Sequence, residues 1–277
     1  MSFRSMIVHI DDDPDASRRV AMAARMAQAF GSRLAGVYLV PIGELTPSVA
    51  ALLPPAVVEA RLTESGYAQD RAEAVFRHEA ALLPADAVEF RAPAGSALAA
   101  AVAHARCADL AVIGQPGGDD GGFMRRLAEQ VLLGSGAPLL FVPRATAVAA
   151  PGSNVLVAWE GGREAARAVR DALPLLAAAQ RVTVFTAFES DKREDALTQS
   201  QKRLGAWLAA HAIHAQFKRG DGAGRDAAER LLSQVSDAGA DLVVMGGYAH
   251  PRAREYVLGS ATRTMLESMT VPVIMSH

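Results

Sequence analysis

The stretch "GADLVVMGGYA", Gly239–Ala249, decides the fold, because the chain writes it twice: "CADLAVIGQPG" stands at Cys107–Gly117. Each copy runs from an Ala-Asp pair through four apolar residues to a glycine. A short continuous apolar run bounded by turn residues reads as a strand covered on both faces. Working outward, the repetition continues in the same order. "SMIVHIDDDPDASRRVAMAARMA", Ser5–Ala27, matches "SNVLVAWEGGREAARAVRDALPLL", Ser153–Leu176, and "APLLFVP", Ala137–Pro143, matches "VPVIMSH", Val271–His277. The period is too long for a solenoid and reads as duplication of one domain. The seam is "PRATAVAAPGSN", Pro143–Asn154, which has linker composition and no apolar periodicity. The expected domains are residues 1–143 and 154–277.

Within each half, strands alternate with helices. In the first, strands are expected at Met6–Ile10, Arg33–Leu39, Val88–Arg91, Leu110–Ile113 and Leu139–Val142, with helices at Ala16–Phe30, Ala60–Leu82, Ala97–Arg106 and Met124–Leu133. The second repeats this with strands near Val155–Trp159, Arg181–Ala187, His214–Lys218, Leu242–Met245 and Val273–Met275. Its helices fall near Glu164–Ala178, Asp191–Ala210, Gly224–Ala238 and Gly259–Met269. An additional segment, Glu44–Leu62, extends the loop and helix after the second strand of the first half. Alternating βα units require right-handed crossovers, so the expected fold is α/β: two tandem open parallel five-stranded sheets flanked by helices.

Composition narrows the function classes. Half of the 277 residues are hydrophobic and about a fifth are charged, as in a globular protein. A net charge of −2 supplies no basic excess for nucleic acid. Cys107 is the only cysteine, so neither an intrachain disulfide nor a cysteine-rich metal site is available. The apolar run in "MSFRSMIVHIDDDPD" is too short for a signal peptide, and no apolar segment approaches membrane-spanning length. A cytoplasmic protein with no membrane partner is expected.

In open parallel sheets, ligands sit beyond the carboxyl ends of the strands where strand order reverses. Asp11–Asp13 and Gly114–Gly117 are therefore the residues of interest in the first half, and Glu160–Gly162 and Gly246–Ser260 in the second. The longest such loop lies in "VVMGGYAHPRAREYVLGSATRTML", Val243–Leu266. Gly246 and Gly247 follow a strand, and Gly259-Ser260 opens a helix. Unpaired N–H groups and a positive dipole end suit phosphate, glycine lets the backbone come close, and the serine hydroxyl adds a donor. The same pair is also explained by a Ser helix cap with no ligand.

This loop resembles that of the universal stress protein family, whose nucleotide-binding members carry Gly-x2-Gly-x9-Gly-Ser/Thr after the fourth strand. Gly246, Gly259 and Ser260 match, and Ala249 stands where the second glycine belongs. An Ala there either narrows the backbone approach or demands an unfavourable positive φ. The resemblance covers nearly the whole chain in two copies. It implies a Rossmann-like, adenine nucleotide α-hydrolase-like fold and an adenine nucleotide, ATP or another, as the ligand. The implied site is Glu160, Gly161, Gly246, Gly247, Ala249, Gly259 and Ser260, with no catalytic residue and no metal. The family's acid at the end of strand one, commonly Asp, is matched by Asp11 and replaced by Glu160. Either accepts a hydrogen bond from nucleoside, or else caps the following helix. Family members pair as dimers through the last strand, which implies that "APLLFVP" and "VPVIMSH" pair antiparallel as an intrachain pseudo-dimer, with a further homodimer left open.

The first half departs further from the pattern. Gly114 and Gly117 match the first two glycines, but Arg125-Arg126 falls where Gly-Ser belongs. Asp12, Asp13, Asp119 and Asp120 crowd the site and repel polyphosphate, so no nucleotide is expected there. "GSGAP", Gly134–Pro138, reads as a helix C-cap. "DDDPD", Asp11–Asp15, lacks EF-hand spacing and reads as a solvated helix start. His211 and His214 have no third metal ligand in view. No P-loop, nucleophile elbow or nucleophile–base pair is found, so weak ATP hydrolysis is the most an enzymatic reading supports. Two functions remain: a stress-response regulatory protein holding adenine nucleotide in its second half, where Arg252 and Arg254 reach phosphate, or a scaffold without nucleotide acting through unknown protein partners.

Overall fold

The structure is a computed structural model that describes residues 2–13, 15–39, 51–117, 122–145, 150–187, 194–220, 227–247 and 260–277, with the backbone alone at Glu194 and Ser260. It divides into two compact units, one of Phe3–Ala137 and one built on Pro138–His277.

The first unit runs β1 (Ser5–Ile10), α1 (Ala16–Phe30), β2 (Arg33–Tyr38), α2 (Pro55–Glu79), β3 (Val88–Arg91), α3 (Ala97–Ala105), β4 (Leu110–Gly114) and α4 (Phe123–Gly134). Its strands lie in the order β3-β2-β1-β4. All pairings are parallel, with Ser5 opposite Arg33, Leu34 opposite Val88 and Met6 opposite Leu110. The chain winds outward from β1 through β2 and β3, then returns to the other side of β1 as β4. The carboxyl ends of β1 and β4 therefore flank the switch point. The helix after β2 begins at Pro55, well before the expected Ala60, because proline has the fixed φ that suits a first helical turn.

The second unit opens with β5 (Leu139–Val142) and continues β6 (Asn154–Ala158), α5 (Arg163–Asp171), α6 (Leu173–Ala178), β7 (Arg181–Ala187), α7 (Glu194–Ala210), β8 (Ala215–Gly220), α8 (Ala227–Ala238), β9 (Leu242–Gly246), α9 (Ser260–Ser268) and β10 (Val273–Ser276). Its order is β5-β10-β9-β6-β7-β8. Every pairing is parallel except the one that sets Val273 against Phe141, Ile274 against Leu140 and Met275 against Leu139, which is antiparallel. These are the two segments whose antiparallel pairing the sequence implied. The expected helix Glu164–Ala178 is two helices. Pro174 has no N–H to donate and its ring excludes a continuous ladder, so the chain breaks at Ala172.

The repeated Ala-Asp pair has a structural cause in both halves. Asp109 Oδ2 accepts the N–H groups of Arg4 (2.7 Å) and Ser5 (2.9 Å). Asp241 accepts those of Gly152, Ser153 and Asn154 at 2.9–3.0 Å. In each copy the aspartate before the fourth strand ties down the start of the first. The strands behind these clamps are the core: Met6, Val8, Ile10, Leu110, Val112, Leu156, Val157, Val243, Val244 and Ile274 are fully buried.

Candidate functional site

In the first half, the chain fills its own switch point. Arg19 lies on the inward face of α1 with Ala16, Val20 and Ala23, and is only 4% exposed. Its Nε donates to the His9 carbonyl and one Nη to Asp11 Oδ1, both at 2.7 Å. The other Nη lies against Gly114, so that a Cβ there would come within 2.5 Å of it. The guanidinium thus spans from the end of β1 to the end of β4. Burial alone would raise the Asp11 carboxyl, but Arg19, His9 and the Asp13 N–H together hold the group below its ordinary value. His9 is buried, its Nε2 is 2.7 Å from the Leu39 carbonyl, and its Nδ1 is 3.7 Å from Asp11. Burial pushes its pKa down to about 4, so the ring is neutral near pH 7. Burial, reinforced by Asp12, pushes the neighbouring Tyr38 phenol up to about 12.

The second half is built differently at the same place. Eight residues beyond the strand-end acid, where the first half has Arg19, it has Ala168, which is fully buried. Gly246 closes β9 directly on the start of α5: a Cβ there would lie 2.6 Å from the Ala165 nitrogen and 2.7 Å from the Glu164 carbonyl carbon. The absence of a side chain at 246 is therefore a packing requirement in its own right. It brings Glu160–Gly162 and Gly246–Gly247 to the same end of the sheet. Glu160 is exposed and folds back on its loop, with Oε1 3.1 Å from where a Gly162 Cβ would sit. Gly161 takes φ +80°, which a side chain would resist. Burial would raise the Glu164 carboxyl, but the Arg163 guanidinium at 2.5 Å and a backbone N–H together hold it below its ordinary value. His277 Nδ1 is 3.2 Å from the Gly247 carbonyl, and the Gly247 N–H donates to Ser276.

Of the residues expected at the second site, Glu160, Gly161, Gly246 and Gly247 thus meet at one sheet end. Ser260 is the first residue of α9. Ala249, Gly259, Arg252 and Arg254 lie outside the described residues, as do Asp119 and Asp120 of the first half and positions 44–50 of the additional segment. Asp11, left between nucleoside contact and helix cap, pairs with Arg19. Asp11 and Asp13 also accept backbone N–H groups two residues on, and Arg18 pairs with Asp15. Among the described residues, no group of three or more His, Cys, Asp or Glu is placed to hold a metal. His211 packs on Trp207 with ring centroids 4.4 Å apart. Ser135 caps α4, and its Oγ accepts the Ala137 N–H, so "GSGAP" is a helix-end turn.

Two features have no clear mark in the sequence. One is Arg19, whose only signal is an arginine at the spacing of the apolar stripe of α1. The other is a polar network at the carboxyl ends of β7 and β8. Gln201 donates to Thr186, and Arg219 donates to Gln201 and Thr198. Beside it, Trp159 Nε1 donates to Ser200 Oγ at 3.1 Å. Nothing in the local pattern around Thr186 or Gln201 marks them as partners, because they sit on different elements.

Comparison with known proteins bears on the whole chain. The universal stress protein family profile matches residues 2–143 and again 153–277. A universal stress protein from Archaeoglobus fulgidus superposes with a TM-score of 0.69 at 14% identity, covering 98% of this chain and 97% of that one. A functionally unknown protein from Pseudomonas aeruginosa superposes at 0.57 with 15% identity, covering 99% and 92%. Identities this low speak for the fold. No curated protein sequence matches significantly. Among the described residues, no helix is long and apolar enough to cross a membrane.

Proposed function

The chain belongs to the universal stress protein family, and on that footing we propose that it is a stress-response regulatory protein holding an adenine nucleotide at the carboxyl ends of β6 and β9. The observation that carries this reading is the contrast at one position. Ala168 stands where Arg19 brings a buried cation to the first half, and among the described residues of the second half no buried cation replaces it. Glu160 is exposed at the end of β6 and accepts hydrogen bonds from a ribose or adenine. The Gly259-Ser260 helix start supplies backbone N–H groups for phosphate. Arg252 and Arg254 add positive charge in the same loop. The sequence offers no nucleophile–base pair beside them, so this reading is one of binding and signalling, with weak ATP hydrolysis at most.

A second reading, a scaffold that acts through protein contacts, is favoured by one observation: Ala249 stands where the family's nucleotide-binding members have glycine. The two separate in a calorimetric titration of ATP–Mg²⁺ into the intact protein beside Gly259→Asp. Micromolar binding that the variant loses is the expected result. No heat from either protein, both folded and free of co-purified nucleotide, would leave the scaffold reading standing.

A further inference from the structure

The switch point between β1 and β4 is where an open parallel sheet takes its ligand, and in the first half it is already taken. Arg19 reaches it from the first turns of α1 and uses its whole head there. Nε is on the His9 carbonyl, one Nη is on Asp11, and the other is against Gly114. A ligand entering between Asp11 and Gly114 would have to displace a charge-assisted, nearly water-free pair. It would strand either a buried guanidinium or a carboxylate with its nearest counter-charge gone. Breaking such a pair from one side is far costlier than never having built it. Asp12 and Asp13 add negative charge on the same wall, which repels an incoming phosphate once Arg19 is engaged. The second half has the same acid-bearing strand end and the same glycine at the end of its fourth strand. At the position of the plug it has a methyl group.

We propose that Arg19 determines which half of the chain is open to ligand: its head closes the first crevice to nucleoside, and Ala168 leaves the second open. The inference rests on the nucleotide reading given above and names the residue that makes the protein asymmetric. The first crevice is self-ligated, so the chain takes one nucleotide and not two.

Hydrogen exchange read by mass spectrometry tests this half by half, with millimolar adenosine as the probe because it carries no phosphate for Asp12 and Asp13 to repel. In the unsubstituted protein, peptides spanning Ser5–Val20 and Leu110–Gly117 should exchange at the same rate with and without adenosine. In Arg19→Ala they should exchange faster in the free protein and slow several-fold when adenosine is added. Protection of these peptides in the unsubstituted protein would overturn the proposal, because the crevice would then be open. Absence of protection in Arg19→Ala would overturn it too, because something other than Arg19 would then be excluding the ligand. If Arg19→Ala does not fold, Arg19→Gln, shorter and uncharged, gives the same comparison. Peptides spanning Asn154–Arg170 and Leu242–Gly247 report the second half in the same samples. Their failure to respond counts against nucleotide binding there, while the first-half peptides still decide the role of Arg19.

Discussion

Set side by side, the two halves treat the acid at the same sheet end differently. The first ends β1 with Asp11 and neutralises it internally, through a guanidinium that is 4% exposed. The second ends β6 with Glu160, which faces solvent, and has Ala168 in place of the cation. The difference also shows in what each glycine meets. A side chain at Gly114 would run into the head of Arg19, whereas one at Gly246 would run into the backbone of α5. A duplicated fold can thus keep its framework of strands and Asp clamps in both copies while the crevices diverge, one sealed by charge and one not. A fold-level likeness would assign both halves the same role. The side chains at positions 19 and 168 do not.

The comparison can be broken in several ways. The largest effect is expected where a strand from the first repeat sequence completes the second unit. Ile274 on β10 is fully buried between β5 and β9, so Ile274→Asp places a charge in the core. It should cost more than about 4 kcal/mol or abolish folding. An unchanged Tm would refute the pairing. Next is the acid itself. Asp11→Ala strands the buried Arg19 and should cost about 3–5 kcal/mol in urea unfolding, while Glu160→Ala at the matching place should stay within about 0.5 kcal/mol. Equal losses at both sites would erase the asymmetry.

The third effect depends on pH and belongs to the first half, because Ala158 stands where that half has His9. The unfolded chain protonates His9 at its ordinary 6.5, whereas the folded chain does so only at about 4. Between those values the unfolded state binds more protons, so stability falls as pH falls, by up to about 3 kcal/mol, and above 6.5 His9 contributes nothing. The depressed Asp11 carboxyl extends the loss to lower pH. Urea midpoints across this window should flatten in His9→Gln, and an unaltered slope would show that the ring is not buried neutral. The smallest effect separates the glycines. Gly246→Ala, which meets rigid backbone, should cost about 1–3 kcal/mol, and Gly114→Ala less, since a side-chain head can shift. In Arg19→Ala the Gly114→Ala cost should vanish, which a double-mutant cycle measures.

Much of the framework was legible in the sequence because strands covered on both faces are continuous apolar runs. Val88–Arg91, Leu139–Val142 and the helix Ala16–Phe30 fall where the pattern puts them. The split at Ala172 was also written, in Pro174, but the apolar spacing on either side hid it. The site was less legible because its decisive contacts join distant positions. Gly246 looked like room for phosphate, and its immediate neighbour is the first turn of α5. Arg19 is one of several arginines along α1, and only the fold shows that it alone points inward, at a glycine on β4. No local pattern at Arg19 encodes Gly114 as its neighbour.

The antiparallel strand pair has a consequence for heredity as much as for mechanics. β5 is written at the end of the first repeat, yet it is packed with the second unit, against β10. The gene's repeat and the protein's compact unit are therefore offset by one strand. A deletion that removed the first repeat cleanly, up to Asn154, would take β5 with it and bare the backbone edge along Val273–Met275. An exposed edge of this kind recruits another strand. The fragment would be expected to self-associate, so the duplication is easier to acquire than to reverse.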